Sequence, residues 1–136
     1  MKTSLKLSLA LLFGIGLGIG GTQVLQAEQP EIKRNVLQHA DLTGVPGKEV
    51  YMTVIDAAPG ASFAPHIHHG DEFTYVLQGS LDLDVDGEGQ RTVKAGDSIH
   101  VERDKVHGGK VAGSTPVKLL AIHIVDKGKP LADPVK

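Results

Sequence analysis

The run SLDLDVDGEG, residues 80–89, constrains this chain more than any other stretch. Leu81, Leu83 and Val85 alternate with Asp82, Asp84 and Asp86, a strict period of two. Successive side chains leave a β-strand on opposite faces, so the run is a strand with one apolar, buried face and one wet face. Asp86-Gly87-Glu88-Gly89 then reads as a hairpin turn. The three aspartates admit two readings, a calcium site or a solvated face that discourages edge-to-edge pairing. The second is favoured, because an EF-hand loop needs its glycine and terminal glutamate at set positions.

The same pattern recurs in weaker form along the chain. Val50 to Ile55, Phe73 to Leu77, Arg91 to Ala95, Ser98 to Val101, Val106 to Val111 and Val117 to Val125 all read as short strands, rich in β-branched and aromatic residues. Pro59-Gly60, Gln78-Gly79, Gly96-Asp97 and Gly113-Ser-Thr-Pro116 read as the turns between them. No segment beyond the N-terminus has helical periodicity. Many short strands separated by turn signals predict an all-β sandwich or barrel. With no cysteine and no tryptophan, its interior must be built mainly of Val, Ile, Leu and Ala, without disulfides.

The N-terminus has a different composition. Lys2 and Lys6 precede an apolar run from Leu7 to Ile19, and Gln26-Ala27 leads into charged sequence. A basic start, a short apolar stretch and a small residue before polar sequence predict a secretory signal peptide over residues 1–27, cut after Ala27. The run is short for a membrane span, so no stable anchor is expected after cleavage, although an uncleaved anchor is the alternative. The expected product is exported, periplasmic or extracellular. It would consist of a lead-in segment (28–47), a barrel (48–126) and a polar tail (127–136). Loss of residues 1–27 removes two lysines and no acid, leaving 12 basic and 16 acidic residues, a charge of −4. That balance argues against a nucleic-acid partner.

The candidate chemistry lies in Pro65-His66-Ile67-His68-His69-Gly70-Asp71-Glu72. In an extended segment His66 and His68 leave from one face, and Ile67 and His69 from the other. Glu72, after a turn at Gly70, can fold back to the same point. Two imidazoles and a carboxylate suit a divalent transition metal, with a further ligand from elsewhere in the fold; solvated loop histidines are the plainer alternative. His123 lies on the face of Leu119 and Ala121, as a pocket-lining residue or a hydrogen-bonded core histidine, and His100 is read the same way. His69 is expected at the rim, and His39 exposed. Phe63, Tyr75 and Met52 are candidates for pocket or core.

Wider spacing adds to this reading. Gly60, five residues, His66-Ile67-His68, three residues, Glu72, six residues and Gly79 resemble the first motif of the cupin superfamily at every fixed position. Gly96 and His107 match that family's second motif at the right spacing. Glu102, Asp104 and Val111 stand where the motif has proline, glycine and asparagine. The resemblance covers roughly residues 48–126. It implies a jelly-roll β-barrel in which His66, His68, Glu72 and His107 bind one divalent transition metal (iron, manganese, nickel, cobalt, copper or zinc). It also implies a homodimer, and a metalloenzyme acting on a small molecule, with dioxygenase-type chemistry foremost and isomerisation or elimination as variants. Two other expectations stay open: a non-catalytic binding protein for a small molecule or metal, and a metal-free catalyst using the histidines for proton transfer.

Overall fold

The computed structural model describes residues 29–135, and the expected signal peptide lies outside them. Ten strands, and no helix, make up the described chain: β1 (Ile32–Asp41), β2 (Lys48–Ala57), β3 (Ser62–Ile67), β4 (Gly70–Gln78), β5 (Ser80–Val85), β6 (Gly89–Lys94), β7 (Ser98–Val101), β8 (His107–Val111), β9 (Val117–Asp126) and β10 (Asp133–Pro134). They form two antiparallel sheets, β1-β2-β9-β4-β7 and β10-β3-β8-β5-β6. This is the jelly-roll arrangement that the strand spacing and the motif resemblance pointed to.

Alternation places the core between the sheets. β5 buries Leu81, Leu83 and Val85, while Asp84 is exposed and Asp82 holds Thr92 of β6 at 2.6 Å. From the other sheet, Ile55, Val76, Ile99, Val101, Leu119 and Ala121 face inward. The opposite face of that sheet is also apolar. Met52, Ile122 and Phe73 lie in one cross-strand row, and Val54, Leu120 and Tyr75 in the next. Phe73 and Tyr75 are 42% and 46% exposed. Met52 and Tyr75 therefore belong to this outer face, neither pocket nor core, because their strand positions have the parity opposite to that of the inward residues.

The lead-in segment carries a ten-residue strand, β1, which pairs with β2 along its length with one irregularity between Val36 and Gln38. The expected turn at Gly70 is a strand start instead. A Cβ there would come within 2.6 Å of the Val125 Cα, so glycine is required by close contact with β9. The polar tail does more than cover the surface: Asp133 and Pro134 pair with Ile67 and His66 of β3.

Candidate metal centre

The two sheets face each other across one cluster. His66, near the end of β3, pairs in register with His107, the first residue of β8. His68 follows β3 directly. Glu72 of β4 pairs with His123 of β9, which brings a carboxylate and a fourth imidazole from the other sheet. Glu72 Oε2 lies 3.0 Å from His68 Nε2, 3.1 Å from His107 Nε2 and 3.6 Å from His123 Nε2. The His66 ring is 4.3 Å from that of His107 and 4.9 Å from that of His68. Ligand atoms of His66, His68 and His107 all lie within 4.8 Å of one another, as do those of His68, Glu72 and His123. His68, His107 and His123 are buried.

Hydrogen bonds decide which ring nitrogen faces the cluster. His66 Nδ1 lies 2.8 Å from the Ala64 carbonyl, and His107 Nδ1 lies 3.0 Å from that of Lys105. His68 Nδ1 meets the carbonyl of Leu131, in the tail. A carbonyl only accepts, so each Nδ1 carries the proton and donates it, leaving Nε2 to face the cluster. This is the support that metal-bound histidines receive in general. Glu72 is aimed likewise, since Thr74 donates its hydroxyl to Oε1 at 2.6 Å and leaves Oε2 towards the imidazoles. Three Nε2-facing imidazoles and one carboxylate are a donor set that fits a divalent transition metal.

Charge within the cluster agrees with this fit. Burial would raise the Glu72 carboxyl, but the imidazoles around it, His107 first and then His123 and His68, outweigh burial and hold the carboxyl well below its ordinary range. Burial is the largest influence on the His107 imidazole and would lower it, but the bond to Glu72, the bond to the Lys105 carbonyl and the Glu72 charge together outweigh it and raise the group. Burial keeps the His66 imidazole below its ordinary value.

The turn before His107 departs least from the family pattern where its residue differs most. Asp104, at the glycine position, has φ 60°, the one left-handed non-glycine among the described residues. Aspartate tolerates that conformation better than most side chains. Its amide donates to the His68 carbonyl at 3.0 Å, tying the turn to the ligand segment. Val111, at the asparagine position, is core.

The remaining histidines separate clearly. His123 lines the cavity beside Glu72, and its Nδ1 is buried without a hydrogen-bond partner among the described residues. His69 points away, to Asp133 at 2.7 Å. His100 is neither pocket nor core: it is exposed, stacked on Phe73 at 4.5 Å and bonded to Asp71 at 3.1 Å. His39, on β1, is exposed but bonded to Glu49 at 2.8 Å and stacked on Tyr51. The sequence reading missed Thr74 and Arg34. Thr74 had a visible signal, since it stands two residues after Glu72 and so shares its strand face.

A cavity of about 440 Å³ opens from the cluster. Phe63, Leu81, Leu83, Ile99 and Leu119 make its walls, and Leu131 and Pro134 of the tail close one side. Its size and apolar lining suit a small organic molecule.

Comparison with known proteins follows this geometry. Residues 53–123 match the family model described as the cupin domain. No curated protein matches the chain. Among solved structures, a cupin superfamily protein from Desulfitobacterium hafniense is 22% identical, with a TM-score of 0.61 over 75% of this chain and 84% of that one. The polyketide cyclase RemF from Streptomyces resistomycificus is also 22% identical, with a TM-score of 0.61 over 78% and 72% of the two chains. The DMSP lyase DddQ from Ruegeria pomeroyi is 18% identical, with a TM-score of 0.60 over 73% and 49%. At these identities the likeness is one of fold.

Proposed function

Since the chain belongs to the cupin domain family, we propose that it is an exported metalloenzyme acting on a small organic molecule. His66, His68, Glu72 and His107 hold one divalent transition metal. The observation that carries this reading is the commitment of all three Nδ1 protons to backbone carbonyls, which leaves the three Nε2 atoms for the cluster, those of His68 and His107 against the Glu72 carboxylate. When bound, such a metal supplies Lewis acidity and, if redox-active, dioxygen chemistry, with dioxygenase-type reaction as the leading assignment. The protein's own part is to orient: Thr74 fixes Glu72, and the walls around Phe63, Leu83 and Leu119 exclude water from the reacting group. A metal-dependent isomerase or lyase is the second reading, favoured by a cyclase and a lyase among proteins of the same fold. A binding protein without turnover is the third.

The decisive experiment reloads metal-free protein with iron, manganese, nickel, cobalt, copper or zinc and counts bound metal. One equivalent in the wild type, lost in His66→Ala and Glu72→Ala, is expected. No uptake in any sample would overturn the metal reading in favour of histidine-based proton transfer. Substrate-dependent oxygen uptake then separates the dioxygenase from the isomerase or lyase, and a tightly held ligand without turnover marks a binding protein.

The outer face of the β1-β2-β9-β4-β7 sheet is assigned to a second copy of this chain. Strand spacing and rise give a face of about 24 by 33 Å, about 800 Å², which is one partner's share of a standard interface. Its rim carries both signs, with Asp56 against Lys118 and Asp126 against Lys48, so two copies can meet without net repulsion. Sedimentation of the wild type as a dimer and of Ile122→Lys as a monomer is the expected result.

A further inference from the structure

The cavity wall carries one ionisable side chain, among the described residues, outside the histidine cluster and Glu72. It is Arg34. Arg34 pairs with Ile55 across β1 and β2, and Ile55 is buried and lines the cavity. Directly paired residues project to the same sheet face, so Arg34 leaves from the inner one. Its guanidinium carbon lies 5.9 Å from the centre of the Phe63 ring. The nearest acid in sequence, Glu31, is engaged by Lys33 at 3.3 Å, and Arg34 enters no ion pair among the described residues. Arg34 itself is exposed, which puts it at the mouth while the buried histidines form the floor.

The cavity thus has three levels: a metal-binding floor, an apolar middle and a cationic mouth. We propose that the substrate is a small organic carboxylate with a short apolar body, whose carboxylate pairs with Arg34 while its oxygen-bearing reactive end reaches the floor. A guanidinium stays charged at all physiological pH values and offers a planar fork that matches a carboxylate. Stacking near Phe63 holds that fork in place and limits the ordering cost of binding. The expected mature chain is net acidic, so this cation is a local feature and not part of a general basic surface. Arg34 is therefore a specificity residue for the reaction proposed above, and the inference rests on that metal reading.

The test uses probes that anchor on the metal whatever Arg34 does. Nickel-loaded protein is titrated calorimetrically with hexanohydroxamic acid and with adipic acid monohydroxamate, which differ only in a terminal methyl or carboxylate. Octanohydroxamic acid and suberic acid monohydroxamate repeat the comparison with a longer spacer. The carboxylate-ended member of at least one pair is expected to bind about fivefold tighter, the upper range for a partly exposed ion pair. Arg34→Met should abolish the preference and leave the methyl-ended affinity and the unfolding midpoint unchanged. Arg34→Lys should keep part of it. Equal binding of both members at both lengths, or a preference that survives in Arg34→Met, would overturn this inference alone. If nickel does not bind, the same titrations use whichever of the six metals does, and failure to take up any of them would overturn the metal reading and this inference with it.

Discussion

The two sheets contribute to the site in different ways. From β3 and β8 come His66 and His107, and between β3 and β4 comes His68, all with their Nδ1 protons held by backbone carbonyls. From β4 and β9 come Glu72, held by the Thr74 hydroxyl, and His123, whose Nδ1 has no partner among the described residues. Every residue type offers a backbone carbonyl, so these three, at Ala64 in β3, Lys105 in a loop and Leu131 in the tail, survive most side-chain changes. A hydroxyl is lost with one substitution. The imidazole side is therefore built as part of the fold, while the carboxylate side is adjustable by mutation.

The strongest way to break this comparison is His107→Ala. It removes one imidazole and leaves Glu72, whose side chain is only 14% exposed, without its main partner. Metal affinity should fall by more than the ten- to hundredfold typical of a supporting residue. The metal-free protein should lose about 3 kcal/mol in denaturant unfolding, the low end for stranding a buried charge. A smaller loss than Glu72→Gln produces would contradict the view that the carboxylate is the dependent partner.

Acidity tests the same pair without mutation. The raised His107 imidazole contributes stability that is complete below its ordinary value of 6.5 and is lost as pH climbs through its higher folded value. The lowered Glu72 carboxyl contributes stability that is present above its ordinary value of 4.5 and is lost as pH falls through its lower folded value. The His107–Glu72 pair should therefore add most to the melting point between those two ordinary values and lose its share on the alkaline side, while His66, lowered by burial, works against it by losing stability as pH falls below 6.5. Metal-loaded protein should show no such alkaline loss, since the metal replaces the proton and its binding releases one. Thermal melts from pH 4 to 9, with and without metal, check this.

The smallest expected effect sharpens the contrast. Thr74→Val keeps shape but frees Glu72 Oε1, and metal affinity should drop about tenfold with little change in the fold. Unchanged affinity would mean that the strand alone aims the carboxylate.

Much of this was legible in the chain. The alternation in residues 80–85 gave a strand whose buried and wet faces the structure reproduces. The spacing of His66, His68 and Glu72 marked a donor cluster before any fold was known. His107 was visible only through the motif resemblance, because 35 residues separate it from Glu72 and more from His66 and His68. Strand β1 was not legible: IKRNVLQHAD is exposed at nearly every position, so burial writes no period into it. The β3 strand was hidden by Pro65 and by a register shift between Phe63 and His66. The Leu131 carbonyl that holds His68 could not be read from sequence at all, since every residue type offers the same carbonyl.

That carbonyl has a consequence for the order of events in synthesis. The donor atoms begin at residue 66, but the carbonyl that orients His68 belongs to Leu131, 63 residues further along the chain and past the last long strand. His68 is therefore left unheld until residue 131 has been made and the tail has docked, so the barrel strands alone do not fix that donor.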